Sequence, residues 1–336
     1  MPASNPLADL LAEKGVLLAD GATGTNLFAM GLESGEAPEM WLETAPEKIT
    51  KLHQDFVDAG SDIILTNSFG GTRNRLKLHQ ADDRVFALNK KAAEIARAVA
   101  DKAPRKVIVA GSVGPTGDLL VPLGAMTYDD AVNSFVEQIE GLKAGGVDIA
   151  WIETMSARDE IRAAAEAAVR CGLPYVYTGS FDTAGKTMMG VHPRDIHSIA
   201  SDIGDGPAAV GANCGVGASD ILSSLLDMTS ADPEAIVVVK GNCGIPEFKG
   251  TEIHYSGTPP LMADYARLAI DAGARIIGGC CGTSCDHLRA MREAVDSHIK
   301  AQRPTVETII DRIGPMRNTV ATDNAAPKRE RRGRRS

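Results

Sequence analysis

Two adjacent cysteines, Cys280 and Cys281, stand in Ile276-Ile277-Gly278-Gly279-Cys280-Cys281-Gly282-Thr283, where an apolar strand gives way to glycine and then to a pair of thiols. Neighbouring residues on a strand point to opposite faces. Both sulfurs therefore reach one point only where the strand has ended and glycine lets the backbone turn. A second apolar strand ends the same way, in Gly211-Ala212-Asn213-Cys214-Gly215. If the two strands belong to one parallel sheet, three thiolates share an edge. Three protein ligands suit a catalytic zinc site, whose fourth tetrahedral position stays open to water or substrate. A metal that holds a substrate thiol as thiolate suits alkylation at sulfur. Cys171, just before Gly172-Leu173-Pro174, reads instead as a small buried apolar residue. Cys243 and Cys285 lie near the others, and residue types leave open which of the five remaining thiols bind.

Two carboxylates close other apolar runs. Asp20 opens Asp20-Gly21-Ala22-Thr23-Gly24-Thr25, and Glu153 follows Ile149-Ala150-Trp151-Ile152. The glycine-bearing loop is shorter than a Walker loop and lacks its lysine. Its backbone N–H groups suit a carboxylate and Asp20 suits an ammonium, which together describe an amino-acid substrate. The structural reading of both carboxylates is a helix N-cap or a loop ion pair. His53 and His79 fall in helical stretches and His287 opens the last one, all as surface or packing residues; nothing resembles a serine triad.

These residues need elements to bring them together. Eight short apolar, β-branched runs recur: Val16 to Asp20, Asp62 to Thr66, Val107 to Gly111, Asp148 to Glu153, Tyr175 to Gly179, Ala208 to Cys214, Ala235 to Lys240 and Arg275 to Cys280. Nearly every gap holds helical spacing, such as Ile49, Leu52, Phe56 and Val57. A weak echo of helix, glycine stop and strand appears at Ala59-Gly60, Gly145-Gly146 and Ala272-Gly273. Alternation of this kind implies parallel strands with crossover helices. Eight units favour a closed (β/α)8 TIM barrel over residues 10–302, with the site at the strands' C-terminal ends. From Arg303 the rhythm fades, leaving 303–336 as an appendage and a basic, disordered tail around Lys328 to Arg335.

The bulk numbers exclude several classes. A net charge of -9 argues against nucleic acid as partner, the basic tail apart. No apolar run of about 18 residues is present to span a bilayer. The start Met1-Pro2-Ala3-Ser4-Asn5-Pro6 lacks the basic and apolar stretches of a secretory signal, so the expectation is a cytoplasmic protein with reduced thiols.

The Gly278-to-Thr283 motif and the upstream Asn213-Cys214-Gly215 resemble the zinc-dependent homocysteine S-methyltransferase family. That family includes betaine-homocysteine methyltransferase and the homocysteine module of cobalamin-dependent methionine synthase. The resemblance runs over residues 10 to 300. It implies a (β/α)8 barrel, Zn(2+) held by Cys214, Cys280 and Cys281, and homocysteine as fourth ligand on its way to methionine. Asp20, the backbone of Gly21 and Ala22, the turn at Ser112 and Val113, and Glu153 match positions that hold the amino acid. Cys243 stands where relatives carry a non-ligand residue, and Cys285 replaces a usual proline.

The methyl donor is the open question. Betaine, as in the bacterial betaine enzymes, wants aromatic faces around its trimethylammonium, and Trp41 and Phe69 lie in the first two loops. Against it, aromatics are 4% of the chain, Gly70 stands where the animal enzymes carry a tyrosine, and their long C-terminal oligomerisation arm has no counterpart. A corrinoid-carrying partner protein, as in a split methionine synthase, and S-methylmethionine are the alternatives. A zinc or redox thiol protein is the non-enzyme reading; an oligomer fits any of these.

Overall fold

The computed structural model describes residues 5–244, 246–249 and 252–318. The basic tail around Lys328 to Arg335 lies outside them.

Helix α1 (Pro6–Lys14) precedes β1 (Leu17–Leu18), which leads to α2 (Thr23–Ala29), α3 (Trp41–Thr44) and α4 (Pro46–Asp58). The alternation continues through β2 (Ile63–Leu65), α5 (Arg73–Leu76), α6 (Val85–Ala100), β3 (Ile108–Val113), α7 (Tyr128–Ala144), β4 (Ile149–Met155), α8 (Arg158–Arg170) and β5 (Tyr175–Gly179). Then come β6 (Ala209–Cys214), α9 (Ala218–Ala231) and β7 (Val237–Gly241). An antiparallel hairpin, β8 (Pro246–Lys249) and β9 (Glu252–Tyr255), interrupts the pattern before α10 (Pro259–Ala272), β10 (Ile276–Gly279), α11 (Cys285–Ser297) and α12 (Val306–Ile313).

All eight expected strands are present in one parallel sheet of order β1-β10-β7-β6-β5-β4-β3-β2. A parallel bridge between Ala19 and Ile63 joins its two ends and completes the (β/α)8 barrel. Asp62 reinforces this closure, since its N–H donates to Leu18 O at 2.6 Å and its Oδ2 accepts from Leu18 N at 2.9 Å.

Burial on alternate strand positions produces two cores. Leu17, Ile63, Ile108, Ile149, Trp151, Val176, Val238 and Ile276 point inward and fill the barrel, and Leu7, Leu10 and Leu11 of α1 join the same cluster. The residues between them pack outward against the helices. The glycine stops behave as their positions require: Gly60, Gly146 and Gly273 sit at φ 102°, 95° and 103°, conformations that L side chains rarely adopt.

Two connections depart from the expected rhythm. Between β5 and β6 the chain makes only a 3₁₀ turn at Pro193–Ser198. Beyond residue 302 the appendage contains α12, which buries Ile309 and Ile313 and is followed by a hydrogen bond from Ser219 Oγ to Gly314 O at 2.7 Å.

Candidate metal centre and amino-acid site

Cys214 is the last residue of β6, and Cys280 and Cys281 follow β10 directly. Their three Sγ atoms lie within 4.8 Å of one another at the C-terminal edge of the barrel. The turn that achieves this is strained. Cys214 adopts φ 61°, one of four non-glycine residues at positive φ among those described, and Gly215 follows at φ 74°. Thr154, at φ 62°, is another. Asn213 clamps it: Oδ1 accepts from Thr154 N at 2.7 Å and from Thr178 Oγ1 at 2.6 Å, while Nδ2 donates to Thr154 Oγ1 at 2.7 Å.

Asn242, after β7, holds the sulfur turns from the third side. Its Nδ2 reaches Cys214 Sγ at 3.9 Å and donates to Gly215 O at 2.8 Å, and its Oδ1 accepts from Cys281 N at 3.1 Å. The Cys280 N–H donates to Gly241 O at 2.8 Å. Gly282 sits at φ 82° with the ring of Tyr255 against it, where a Cβ would lie 2.3 Å from Tyr255 Cγ.

The sulfur cluster fits a divalent cation. Sulfurs arranged tetrahedrally around zinc at about 2.3 Å stand roughly 3.8 Å apart, within the observed limit. Without a cation the thiols hold their protons: the neighbouring Cys280 sulfur and burial push Cys214 up to about 12. The Cys214 sulfur and burial likewise push Cys281 up to about 11. A cation is what would discharge such a group at neutral pH. Among the described residues, this trio is the only group of three cysteine, histidine or acidic side chains so placed. Cys243 is fully buried, outside the trio, with burial pushing its thiol up to about 12. Cys171 and Cys285 also lie outside it.

Beside the sulfurs, the inward positions at the top of the barrel carry charge. Asp20 is fully buried; Oδ2 accepts from Leu65 N at 2.7 Å, and Oδ1 meets Lys240 Nζ at 2.7 Å. Glu153 is buried too, with Oε1 accepting from Ser112 Oγ at 2.5 Å. Burial pulls the carboxyls of Asp20 and Glu153 upward, with Lys240 opposing it in both. Burial alone would lower Lys240, but Asp20 and Glu153 outweigh it and hold the ammonium charged.

The Asp20-to-Thr25 loop lies against the cysteine turn. Ala22 N donates to Thr283 O at 3.1 Å, Gly282 N donates to Thr25 Oγ1 at 3.1 Å, and Asn26 Nδ2 donates to Thr283 O at 2.9 Å. The Ala22 amide is thus engaged by the fold. Val113 is buried at the end of β3, beside Ser112.

The two aromatic residues of the first loops differ in setting. Trp41 is buried in the outer core, and Lys48 Nζ lies 4.1 Å from its ring centroid, so one face already meets a cation. Phe69 is 38% exposed and packs on Gly114.

Sequence reasoning names the sulfurs, Asp20, Ser112 and Glu153, and the structure gathers them on one rim. It misses Asn213, Asn242 and Lys240. The signal for Lys240 is the one used for Glu153, a charged residue closing an apolar strand; the asparagines offer only their position beside a cysteine or a glycine.

A parallel eight-stranded barrel with three convergent thiols and an inner ring of charge at its C-terminal edge defines a class, that of (β/α)8 barrels whose strand ends bring together a cysteine trio able to hold a metal ion. Residues 17–295 match the family model described as homocysteine S-methyltransferase, and the chain belongs to that family. It is 30% identical over 313 residues to the methionine synthase of Mycobacterium tuberculosis (strain ATCC 25618 / H37Rv), a match that covers 88% of this chain and 26% of the relative. The methionine synthase of Mycobacterium leprae (strain TN) is 30% identical over 315 residues, covering 86% and 25%. The chain spans about a quarter of the length of these curated relatives. Among solved structures, the metallated form of the homocysteine methyltransferase MmuM from Escherichia coli superposes with a TM-score of 0.73 at 26% identity, covering 86% of this chain and 99% of that one. No helix among the described residues is long and apolar enough to cross a membrane.

Proposed function

We propose that this protein is a zinc-dependent S-methyltransferase that converts homocysteine to methionine, with the metal on Cys214, Cys280 and Cys281. The observation that carries the reading is the convergence of those three thiols, from two strands, at the barrel's C-terminal edge. Membership of the family and the match to a metallated homocysteine methyltransferase support it.

A bound zinc ion supplies the positive charge that keeps the cysteines, and a homocysteine sulfur beside them, as thiolates at neutral pH. The chain's own residues do the rest. Asn213 and Asn242 hold the strained turns that aim the sulfurs. Glu153, Ser112 and the backbone around Gly21 and Val113 form the ring in which the amino-acid end is held, while Ala22, whose amide donates to Thr283 O, and Asp20, whose oxygens accept from Leu65 N and Lys240, shape that ring from behind. In the transfer, the sulfur's lone pair forms the new S–CH₃ bond as the donor's bond to that methyl breaks. The thiol proton has already gone to solvent. A quaternary ammonium leaves as a neutral amine, so alignment rather than acid catalysis is the protein's task.

For the donor, our reading is betaine, yielding dimethylglycine. Three thiolates and the buried carboxylates favour a cationic donor, and Phe69 offers an aromatic face. The second reading, a methylcorrinoid carried by a partner protein, draws support from the similarity to methionine synthases.

Zinc analysis and donor assays test these proposals. The reduced protein is expected to hold one zinc per chain, and Cys214→Ser to lose both metal and methyl transfer. Retention of both in Cys214→Ser would refute the three-thiolate centre. Methionine formation with betaine, S-methylmethionine and methylcobalamin, assayed side by side, decides the donor.

A further inference from the structure

Lys240 has no role in the function proposed so far, yet the barrel is built around it. It occupies the inward position two residues beyond Val238, at the C-terminal end of β7, and is 3% exposed. Its stem passes over Gly278 of β10, where a Cβ would lie 3.0 Å from Lys240 Cγ and 3.0 Å from Ala19 Cβ. Any side chain at 278 would crowd it. A lysine at this depth is costly to bury unless its charge is met. Asp20 Oδ1 meets it at 2.7 Å, and the salt bridge is almost wholly shielded from solvent.

The charge arithmetic of the rim is uneven. Asp20 and Glu153 are two buried carboxylates set against a single ammonium. Both oxygens of Asp20 are occupied within the fold, by Leu65 N and Lys240. Glu153 accepts one hydrogen bond on Oε1, from Ser112. An ammonium carries three N–H donors, and Asp20 takes one of those on Lys240. Glu153 therefore keeps room for a further donor beyond Ser112, and Lys240 keeps N–H groups beyond the one that meets Asp20. A zwitterionic amino acid has both complements.

We infer that Lys240 is a substrate-binding residue: anchored on Asp20, it takes the α-carboxylate of the amino acid, leaving Glu153 to take the α-ammonium. This deepens the homocysteine reading and rests on it. Asp20 then acts through Lys240 as a positioning residue. The division explains why a barrel interior otherwise lined by apolar side chains keeps a buried ion pair just below its mouth.

Truncated thiols separate the two ends of the substrate. 3-Mercaptopropylamine is homocysteine without its carboxylate, and 4-mercaptobutanoate is homocysteine without its amine. The wild-type zinc protein is expected to use homocysteine at least about tenfold better than 3-mercaptopropylamine by kcat/KM, as one charge-assisted hydrogen bond implies. Lys240→Met is expected to lose that preference by lowering homocysteine to the level of the amine, with its zinc content unchanged. In calorimetry on metal-free protein, Lys240→Met should bind methionine at least about tenfold more weakly than wild type. Glu153→Gln should instead weaken homocysteine against 4-mercaptobutanoate. Equal use of homocysteine and 3-mercaptopropylamine by wild type would overturn the inference without any variant, as would undiminished methionine binding by Lys240→Met. A wild type that binds neither homocysteine nor methionine would sink the homocysteine reading itself.

Discussion

Asn242 reaches the sulfur of Cys214 with its amide nitrogen, 3.9 Å away, while its oxygen accepts from the backbone of Cys281 at 3.1 Å. One neutral side chain thus spans the two strands that supply the thiols and fixes their relative position. An N–H directed at a thiolate also spreads its charge, which tunes a metal centre from outside its ligand shell. Asn242→Ala is expected to fold, because the flanking hydrogen bond from Cys280 N to Gly241 O is independent of it. Zinc affinity should fall by about 10- to 100-fold, measured by competition with a chromophoric chelator. An affinity within twofold of wild type would show that the sulfurs are placed without this bridge.

The loop Asp20 to Thr25 contains two glycines with opposite prospects. A Cβ on Gly21 would stand 2.6 Å from Thr283 O and 3.3 Å from the Phe56 ring, whereas one on Gly24 meets nothing within 4 Å. Thr283 O belongs to the cysteine turn and already accepts from Ala22 N and Asn26 Nδ2. Gly21→Ala must therefore push that turn outward, and zinc retention should drop with it. Gly24→Ala, inside α2, should leave zinc binding intact and raise stability by about 0.5 to 1 kcal/mol. Metal analysis and thermal melts of the two variants check this; equal behaviour would refute it.

Much of this arrangement is legible in the sequence. The eight strands announce themselves because each is a buried β-branched run, and Cys214, Cys280 and Cys281 stand out because strand ends with glycine are where backbone can turn. What is not legible depends on registers and contacts across the barrel. Cys243 and Cys281 each stand two residues beyond a strand end, and it is the different turns after β7 and β10 that send the first thiol into the core and the second to the cluster. The hairpin Pro246–Lys249 and Glu252–Tyr255 follows no strand-helix rhythm. Between β5 and β6, Ile196, Ile199, Ala200 and Ile203 carry helical apolar spacing, yet the chain there makes a 3₁₀ turn over Pro193–Ser198 and no α-helix, so the spacing shows which residues pack against the core but not the form of the turn. The partnership of Lys48 with Trp41 is a tertiary contact between the face of an indole and an amphipathic helix.

His53 predicts an acid sensitivity unconnected with catalysis. It is fully buried in α4, neither ring nitrogen has a hydrogen-bond partner, and burial pushes its pKa down to about 4. The unfolded chain takes up this proton near pH 6.5 and the folded one does not. Stability is therefore whole above about pH 6.5 and declines as pH falls towards 4, by about 2 kcal/mol at pH 5 from this residue alone. His53→Leu removes both the titration and the unpaired nitrogens. Denaturant midpoints at pH 7.5 and pH 5 should differ less in His53→Leu than in wild type; an unchanged difference would mean that His53 finds a partner in solution.

Trp41 and Phe69 divide the donor question between them. Trp41 lies in the core with Lys48 over its ring, and Lys48 also donates to Met30 O at 2.9 Å, which fixes the ammonium there. A donor cation brought to that face meets a like charge. Phe69 stands on a loop held by the backbone: Gly70 N donates to Glu39 Oε1 at 2.6 Å, Gln138 Nε2 donates to Ser68 O at 2.7 Å, and Gly114 N donates to Phe69 O at 3.1 Å. Removing the Phe69 ring leaves that scaffold in place. With betaine as donor, Phe69→Ala should raise the betaine KM by about tenfold, the scale of a partly desolvated cation–π contact, and leave the homocysteine KM alone. Trp41→Ala should instead cost about 3 to 5 kcal/mol of stability with little change in the betaine KM of the folded fraction. Steady-state kinetics in each substrate, paired with denaturation curves, separate the two effects. A betaine KM that rises in Trp41→Ala and not in Phe69→Ala would move the donor to the indole and require Lys48 to swing away.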